Sequence, residues 1–204
     1  ARAQAALLLS LSTARRAALF DMDGTLLRWT CGGWGPTKLA DYSMWNERVP
    51  TLLRRLHDDG YKIVIVSNQG GIKGAFDGKN ATRVKGVVDW LAARCGVPLH
   101  GLFATRHNEY RKPQPGCWGA MEQQLNGGVA VDVASSLMVG DMAGRPGDAG
   151  SADRDFACSV SAQRGAALGF RTPEQAFGPP RVTAAAAAYG TAVAEAGAPP
   201  AAAL

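Results

Sequence analysis

The sequence predicts an α/β fold built on a doubly wound, mostly parallel sheet. Three observations lead there. Short apolar, often β-branched runs alternate along the chain with segments of helical period. Several of those runs end directly in polar residues: Asp21 and Asp23, then Ser67 and Asn68, then Asp141. Finally, 204 residues of which 47% are apolar suit one domain with one core, although much of that fraction is Ala.

The elements follow in order. Ala17-Ala18-Leu19-Phe20 reads as a buried strand that stops at Asp21-Met22-Asp23-Gly24-Thr25. Leu26 to Pro50, rich in Gly, Trp and Pro, predicts a flap or hairpin around Gly32-Gly33-Trp34-Gly35-Pro36. Thr51 reads as the N-cap of a helix with Leu52, Leu53 and Leu56 inward and Gly60 as its stop. Tyr61-Lys62-Ile63-Val64-Ile65-Val66 is a central strand ending in Ser67-Asn68-Gln69-Gly70-Gly71-Ile72. Asn80 is expected to cap the next helix. There Val84, Val87, Val88 and Leu91 keep the i, i+3, i+4, i+7 spacing of a buried face, and Gly96 closes it.

Leu99 to Ala104 is a third strand, followed by a loop carrying Tyr110-Arg111-Lys112-Pro113. A helix with Trp118, Met121 and Leu125 inward then stops at Gly127-Gly128. Leu137-Met138-Val139 is a fourth strand, ending at Gly140-Asp141, and Phe156 to Val160 is read as a fifth. Thr172-Pro173-Glu174-Gln175 has the form of a capping box with Pro at the first helical position.

Three segments are expected: 1–16 as a linker or transit remnant, 17–181 as the catalytic domain, and 182–204 as an Ala/Pro-rich low-complexity tail. The chain opens on Ala rather than Met, as a fragment or processed product would. Its first twenty residues carry Arg2, Arg15 and Arg16 and no acid, which fits either an organelle transit remnant or a linker. The net charge of +5 favours an anionic partner without specifying nucleic acid. Cys31, Cys95, Cys117 and Cys158 form no C-x-x-C pair, so a reducing compartment is expected. No apolar run reaches membrane-spanning length.

In parallel α/β sheets, ligands bind outside the carboxyl ends of the strands. The fold therefore gathers Asp21, Asp23, Ser67, Asn68, Arg111, Lys112 and Asp141 at one edge, with Asp148 and Asp153 nearby. Each is unremarkable alone, since Asp-Gly and Ser-Asn are ordinary turn residues. Together they suit phosphate-ester chemistry. The anionic ester repels a nucleophile, and Mg²⁺ held by oxygen ligands relieves that repulsion. Asp21, the Asp23 backbone carbonyl and Asp141 are the candidate ligands. Lys112 supplies a point charge to the phosphate, and the Ser67 hydroxyl a hydrogen bond.

The motif Asp21-Met22-Asp23-Gly24-Thr25 resembles the first motif of the haloacid dehalogenase superfamily. That resemblance implies a Rossmann-like sheet in which Asp21 forms an aspartyl-phosphate while Asp23 protonates the leaving group and then activates water. The first gap is spent on the flap and one helix. The second, about 40 residues, is spent on one helix and one strand, leaving no room for a large cap domain.

More narrowly, the chain is similar to the polynucleotide 3′-phosphatase family from about Ala18 to Phe177. The most specific stretch is Val139-Gly140-Asp141-Met142-Ala143-Gly144-Arg145-Pro146, followed by Ser151-Ala152-Asp153-Arg154. The resemblance implies Mg²⁺-dependent removal of 3′-phosphate from DNA ends in strand-break repair. It also implies a monomer in the nucleus, or in an organelle if the N-terminus is a transit remnant, with other repair proteins as partners and no membrane. The segment between Arg145 and Ser151 is shorter than in the family, so the place of Asp148 stays open and Asp153 is treated as supporting. No G-x-x-x-x-G-K-[ST] phosphate loop is present, so no kinase activity attaches to this piece.

Lys73, Arg111, Arg145 and Arg154 are candidates to grip DNA phosphates beside Ser67 and Asn68. Two rivals stand against the reading. One is a small-molecule phosphatase of the histidinol-phosphate or heptose-bisphosphate type. Those enzymes usually carry a Cys/His zinc loop, whereas His100 to Tyr110 holds His100 and His107 and no Cys. The other is a DNA-end binding module that has lost catalysis.

Overall fold

A computed structural model describes residues 13–32, 35–73 and 76–179. The tail 182–204, most of the N-terminal segment, and Gly33 and Trp34 of the flap lie outside the described residues. Five parallel strands form the central sheet. In chain order they are β1 (Arg16–Phe20), β4 (Tyr61–Asn68), β5 (His100–Ala104), β6 (Leu137–Val139) and β7 (Gly169–Arg171). In space they lie β5-β4-β1-β6-β7, with β1 at the centre. Phe20 lies opposite Ile65 on one side and Val139 on the other, so the carboxyl ends of β1, β4 and β6 open on one edge.

Helices cover both faces because neighbouring side chains on a strand point to opposite sides. One face carries Phe20, Ile63 and Ile65 against Val49 and Leu53 of α1 (Val49–Asp58), Val87 and Leu91 of α2 (Lys79–Cys95) and Phe177 of α5 (Pro173–Phe177). The other carries Leu19, Val64 and Val66 against Trp118 of α3 (Gly116–Ala120) and Phe156 and Val160 of α4 (Ala152–Arg164). A π turn, Met121–Leu125, continues α3. The doubly wound, mostly parallel expectation holds. The stretch after Thr25 makes only a small antiparallel hairpin, β2 (Leu27–Trp29) with β3 (Tyr42–Met44), and no large cap appears among the described residues.

Several local readings change. α1 starts at Val49, two residues before Thr51, because Pro50 is well placed in a first turn where its missing N–H has no partner to lose. Gly78, not Asn80, caps α2, and the Asn80 amide donates to the Gly71 carbonyl at 2.7 Å instead. Phe156 to Val160 is helix, not strand. Asp153, Phe156, Ala157 and Val160 are all buried, which is helical spacing, and Gly165 ends the helix at φ 67°. The fifth strand is β7, whose three residues are too few to show a period. Ordered contacts begin a little before Ala17. β1 includes Arg16, and the Asn126 side chain holds both the N–H and the carbonyl of Ala14 at 2.8 Å. The capping box at Thr172 and Gln175 is present.

Candidate active site

The first loop is shaped by what its neighbours leave room for. Beyond β1, Asp21 continues the sheet by donating its N–H to Val139 at 2.9 Å, which leaves its carboxylate at the strand end. Gly24 turns the chain at φ 81°, and a Cβ there would lie 2.5 Å from Asp141 Oδ2, so only glycine fits. The Thr25 hydroxyl joins the two loops. It accepts from the Asp141 N–H at 3.1 Å and donates to Asp141 Oδ1 at 3.3 Å.

The buried cation at the centre is Lys112. Its Nζ lies 2.7 Å from Asp21 Oδ1 and 2.7 Å from Asp153 Oδ1. Asn68 sets its place: the Asn68 amide donates to the Lys112 carbonyl and accepts from its N–H, both at 3.0 Å. The Lys112–Pro113 peptide is cis. Asp153, fully buried at the start of α4, also accepts from the Met142 N–H at 3.0 Å. It presses so closely on Gly140 that a Cβ there would sit 2.3 Å from its Oδ2.

Asp23 points elsewhere. Its Oδ1 accepts from the Trp29 indole N–H at 2.8 Å and its Oδ2 from the Gln69 amide at 2.8 Å. The same Gln69 amide donates to the Ser67 hydroxyl at 3.2 Å. Asp21, Asp23, Ser67 and Lys112 line a cleft of about 470 Å³, with Arg28 and Trp29 at its β2 wall.

Charge in this cleft is unbalanced. One oxygen from each of Asp21, Asp141 and Asp153 lies within 4.8 Å of the others, against a single ammonium. Burial raises the Asp21 carboxyl to about 7. Lys112 opposes that rise, while Asp153 and Asp141 add to it. Burial and Asp153 likewise raise Asp141. Burial alone would lower Lys112, but Asp21 and Asp153 outweigh it and the ammonium is held more firmly than usual. Three hard oxygen donors short of positive charge fit a small divalent cation such as Mg²⁺.

The predicted residues divide. Asp21, Asp23, Ser67, Asn68, Lys112 and Asp141 come together at one cleft. Within the metal set, Asp153 joins Asp21 and Asp141, while the Asp23 side chain faces Trp29 and Gln69. Asn68 spends its amide on Lys112. Lys73 is exposed and, like Arg111, outside the cleft lining.

Arg145 is tied by ion pairs to Asp148 at 3.0 Å and Glu174 at 2.9 Å, beside the Asp141 carbonyl at 3.4 Å. Asp148 also accepts from the N–H groups of Ala143 and Arg145, so it organises the loop, and Arg145 lowers its carboxyl to about 2. Arg154 donates to the Ala143 carbonyl at 2.8 Å and to Asp155. The sequence reading missed Gln69 and Trp29. Gln69 lies within Ser67-Asn68-Gln69-Gly70-Gly71-Ile72, whereas nothing local in the sequence marks Trp29.

Comparison with known proteins gives the chain its family. The chain is similar to polynucleotide 3′-phosphatase ZDP of Arabidopsis thaliana, 34% identical over 185 residues, covering 83% of this chain and 25% of that protein. It is similar also to the bifunctional polynucleotide phosphatase/kinase of Schizosaccharomyces pombe, 32% identical over 158 residues, covering 78% of this chain and 36% of that protein. The chain therefore spans only a quarter to about a third of the length of these two curated relatives. Among solved structures, D,D-heptose 1.7-bisphosphate phosphatase from B. bronchiseptica, complexed with magnesium and phosphate, shares the fold. Its TM-score is 0.55 at 17% identity, covering 90% of this chain and 99% of that one. The family description polynucleotide kinase 3 phosphatase matches residues 16–177, most of the chain and all five strands of the sheet, and the chain belongs to that family.

Proposed function

We propose that this domain is a Mg²⁺-dependent phosphatase that removes the 3′-phosphate from DNA ends through an aspartyl-phosphate on Asp21. The observation that carries the reading is Lys112, buried and 2.7 Å from both Asp21 and Asp153 beneath an open cleft. Asp21, Asp141 and Asp153 would hold Mg²⁺, whose charge would offset that of the phosphoryl group.

Asp21 attacks phosphorus with a carboxylate oxygen, and the bond from phosphorus to the 3′-oxygen breaks. Asp23 gives the leaving oxygen its proton. In the second half Asp23 takes a proton from water, the water oxygen attacks phosphorus, and the Asp21 carboxylate is released with inorganic phosphate. Lys112 favours the ionised Asp21 carboxylate before attack, opposing the rise that burial imposes, and holds the side chain in place through both halves. Ser67 donates to the phosphoryl oxygens.

The described residues carry no large cap, which suits a macromolecular end, as do the polynucleotides in the names of the two relatives. That substrate supports a role in strand-break repair, and with it a nuclear location, or an organelle if the N-terminal segment is a transit remnant. Arg28, at the cleft wall, and Arg111 are the cations proposed to meet flanking phosphates, so DNA affinity is expected to fall steeply with salt.

The test is phosphate release from a 3′-phosphorylated oligonucleotide with Mg²⁺, with chelator, and with the Asp21→Asn protein. Release that needs both Mg²⁺ and Asp21 is expected. Release undiminished by Asp21→Asn overturns the nucleophile. Turnover of small phosphate monoesters but not of the oligonucleotide overturns the substrate.

A further inference from the structure

Four large apolar side chains are notably exposed among the described residues: Trp29, Phe76, Tyr110 and Val129. Of these, only Trp29 lines the active cleft. Half of its surface, 49%, is open to solvent, yet the side chain is tethered. Its indole N–H donates to Asp23 Oδ1 at 2.8 Å. Its backbone is paired with Tyr42 across the β2–β3 hairpin. Gly35 leaves space beside its six-membered ring: a Cβ added there would lie 3.5 Å from it, and φ is 117°. An anchored aromatic with exposed surface can accept a partner without first losing rotamer freedom.

Its position says what that partner is. Asp23, to which the indole is bonded, is the acid that must reach the leaving oxygen. In a 3′-phosphorylated nucleotide the base hangs on the same sugar as that oxygen. We propose that Trp29 is a stacking platform for the terminal nucleobase, and that it selects nucleotide leaving groups over plain alcohols. The inference rests on the proposed DNA 3′-phosphatase reading and deepens it. Every base offers a flat π face, so the platform tolerates any terminal base while rewarding the presence of one.

The experiment is a substrate-by-variant cycle. kcat/KM is measured on two 3′-phosphorylated oligonucleotides of equal length, one ending in thymidine and one in an abasic sugar. Wild type, Trp29→Ala and Trp29→Phe proteins are compared. Wild type is expected to favour the base-bearing end by about 5- to 150-fold, the range that base–aromatic stacking supplies.

Trp29→Ala is expected to bring the ratio close to one, and Trp29→Phe, which keeps a ring but not the N–H, to retain part of it. Losing the contact to Asp23 slows both substrates alike, so the ratio isolates the stack. Equal turnover of both ends by wild type, or a preference that survives Trp29→Ala, overturns this inference alone. No turnover of either oligonucleotide by wild type overturns the DNA reading, and this inference with it.

Discussion

Replacing Lys112 with Met tests the logic of the site on stability, independently of any substrate. Met keeps most of the aliphatic stem and removes the charge. Lys112 is 4% exposed and lies 2.7 Å from two carboxylates, so both lose their cation at once. Breaking a buried pair by removing one partner costs roughly 3–5 kcal/mol. At about 2–4 °C per kcal/mol for a domain of this size, the melting temperature should fall by roughly 6–20 °C.

The pH dependence has a definite sign. Asp21 already sits near 7, raised from 3.8, so the native state binds more protons than the unfolded one between those values and stability falls as pH rises through that window. Without Lys112 the Asp21 carboxyl rises further and the penalty extends above pH 7. The deficit against wild type should therefore be larger at pH 8 than at pH 6. Thermal unfolding followed by circular dichroism in chelator, at both pH values, measures it. Adding Asp153→Asn to Lys112→Met removes one stranded charge and should recover part of the loss, so the double change costs less than the sum of the single ones. A Lys112→Met protein that melts within about 2 °C of wild type at both pH values would refute the claim that this ion cluster is buried and coupled.

Four further outcomes follow from particular positions. Asn68→Ala removes both hydrogen bonds to the Lys112 backbone and should cost about 1–3 kcal/mol, with kcat reduced more than KM because the loss is of alignment rather than of phosphate contact. Gly140→Ala forces a methyl group to within 2.3 Å of Asp153 Oδ2 and should destabilise by about 1–3 kcal/mol and remove most activity; Gly86→Ala, on α2 with nothing near its would-be Cβ, should instead stabilise by up to about 1 kcal/mol, both read by denaturant titration. Burial pushes His100 from 6.5 down to about 4, so the unfolded chain takes up that proton first and stability is lost as pH falls from 6.5 to 4; a His100→Gln protein should show a shallower loss over that window.

Much of this protein is legible in its sequence because the signals are local. The runs that become β1, β4, β5 and β6 carry their own apolar character and end in their own turn residues, so the carboxyl-edge cluster of Asp21, Asp23, Ser67, Lys112 and Asp141 could be named beforehand. The helical face of α2 and the Thr172 capping box are equally local. α4 was misread because Phe156 to Val160 is too short a window to separate period 2 from period 3.6, and the buried Asp153 that completes its inner face looks polar in sequence.

What only the tertiary structure decided are the pairings between distant loops. Lys112 meets Asp21 across 91 residues, and Gln69 meets Asp23 across 46. Whether Asn68 faces a phosphate or a backbone, whether Asp148 binds metal or a loop, and which carboxylate is third around the cation depend on sheet order and on side-chain reach. A linear pattern holds neither, since such contacts form only once the strands have lined up and water has been excluded between them.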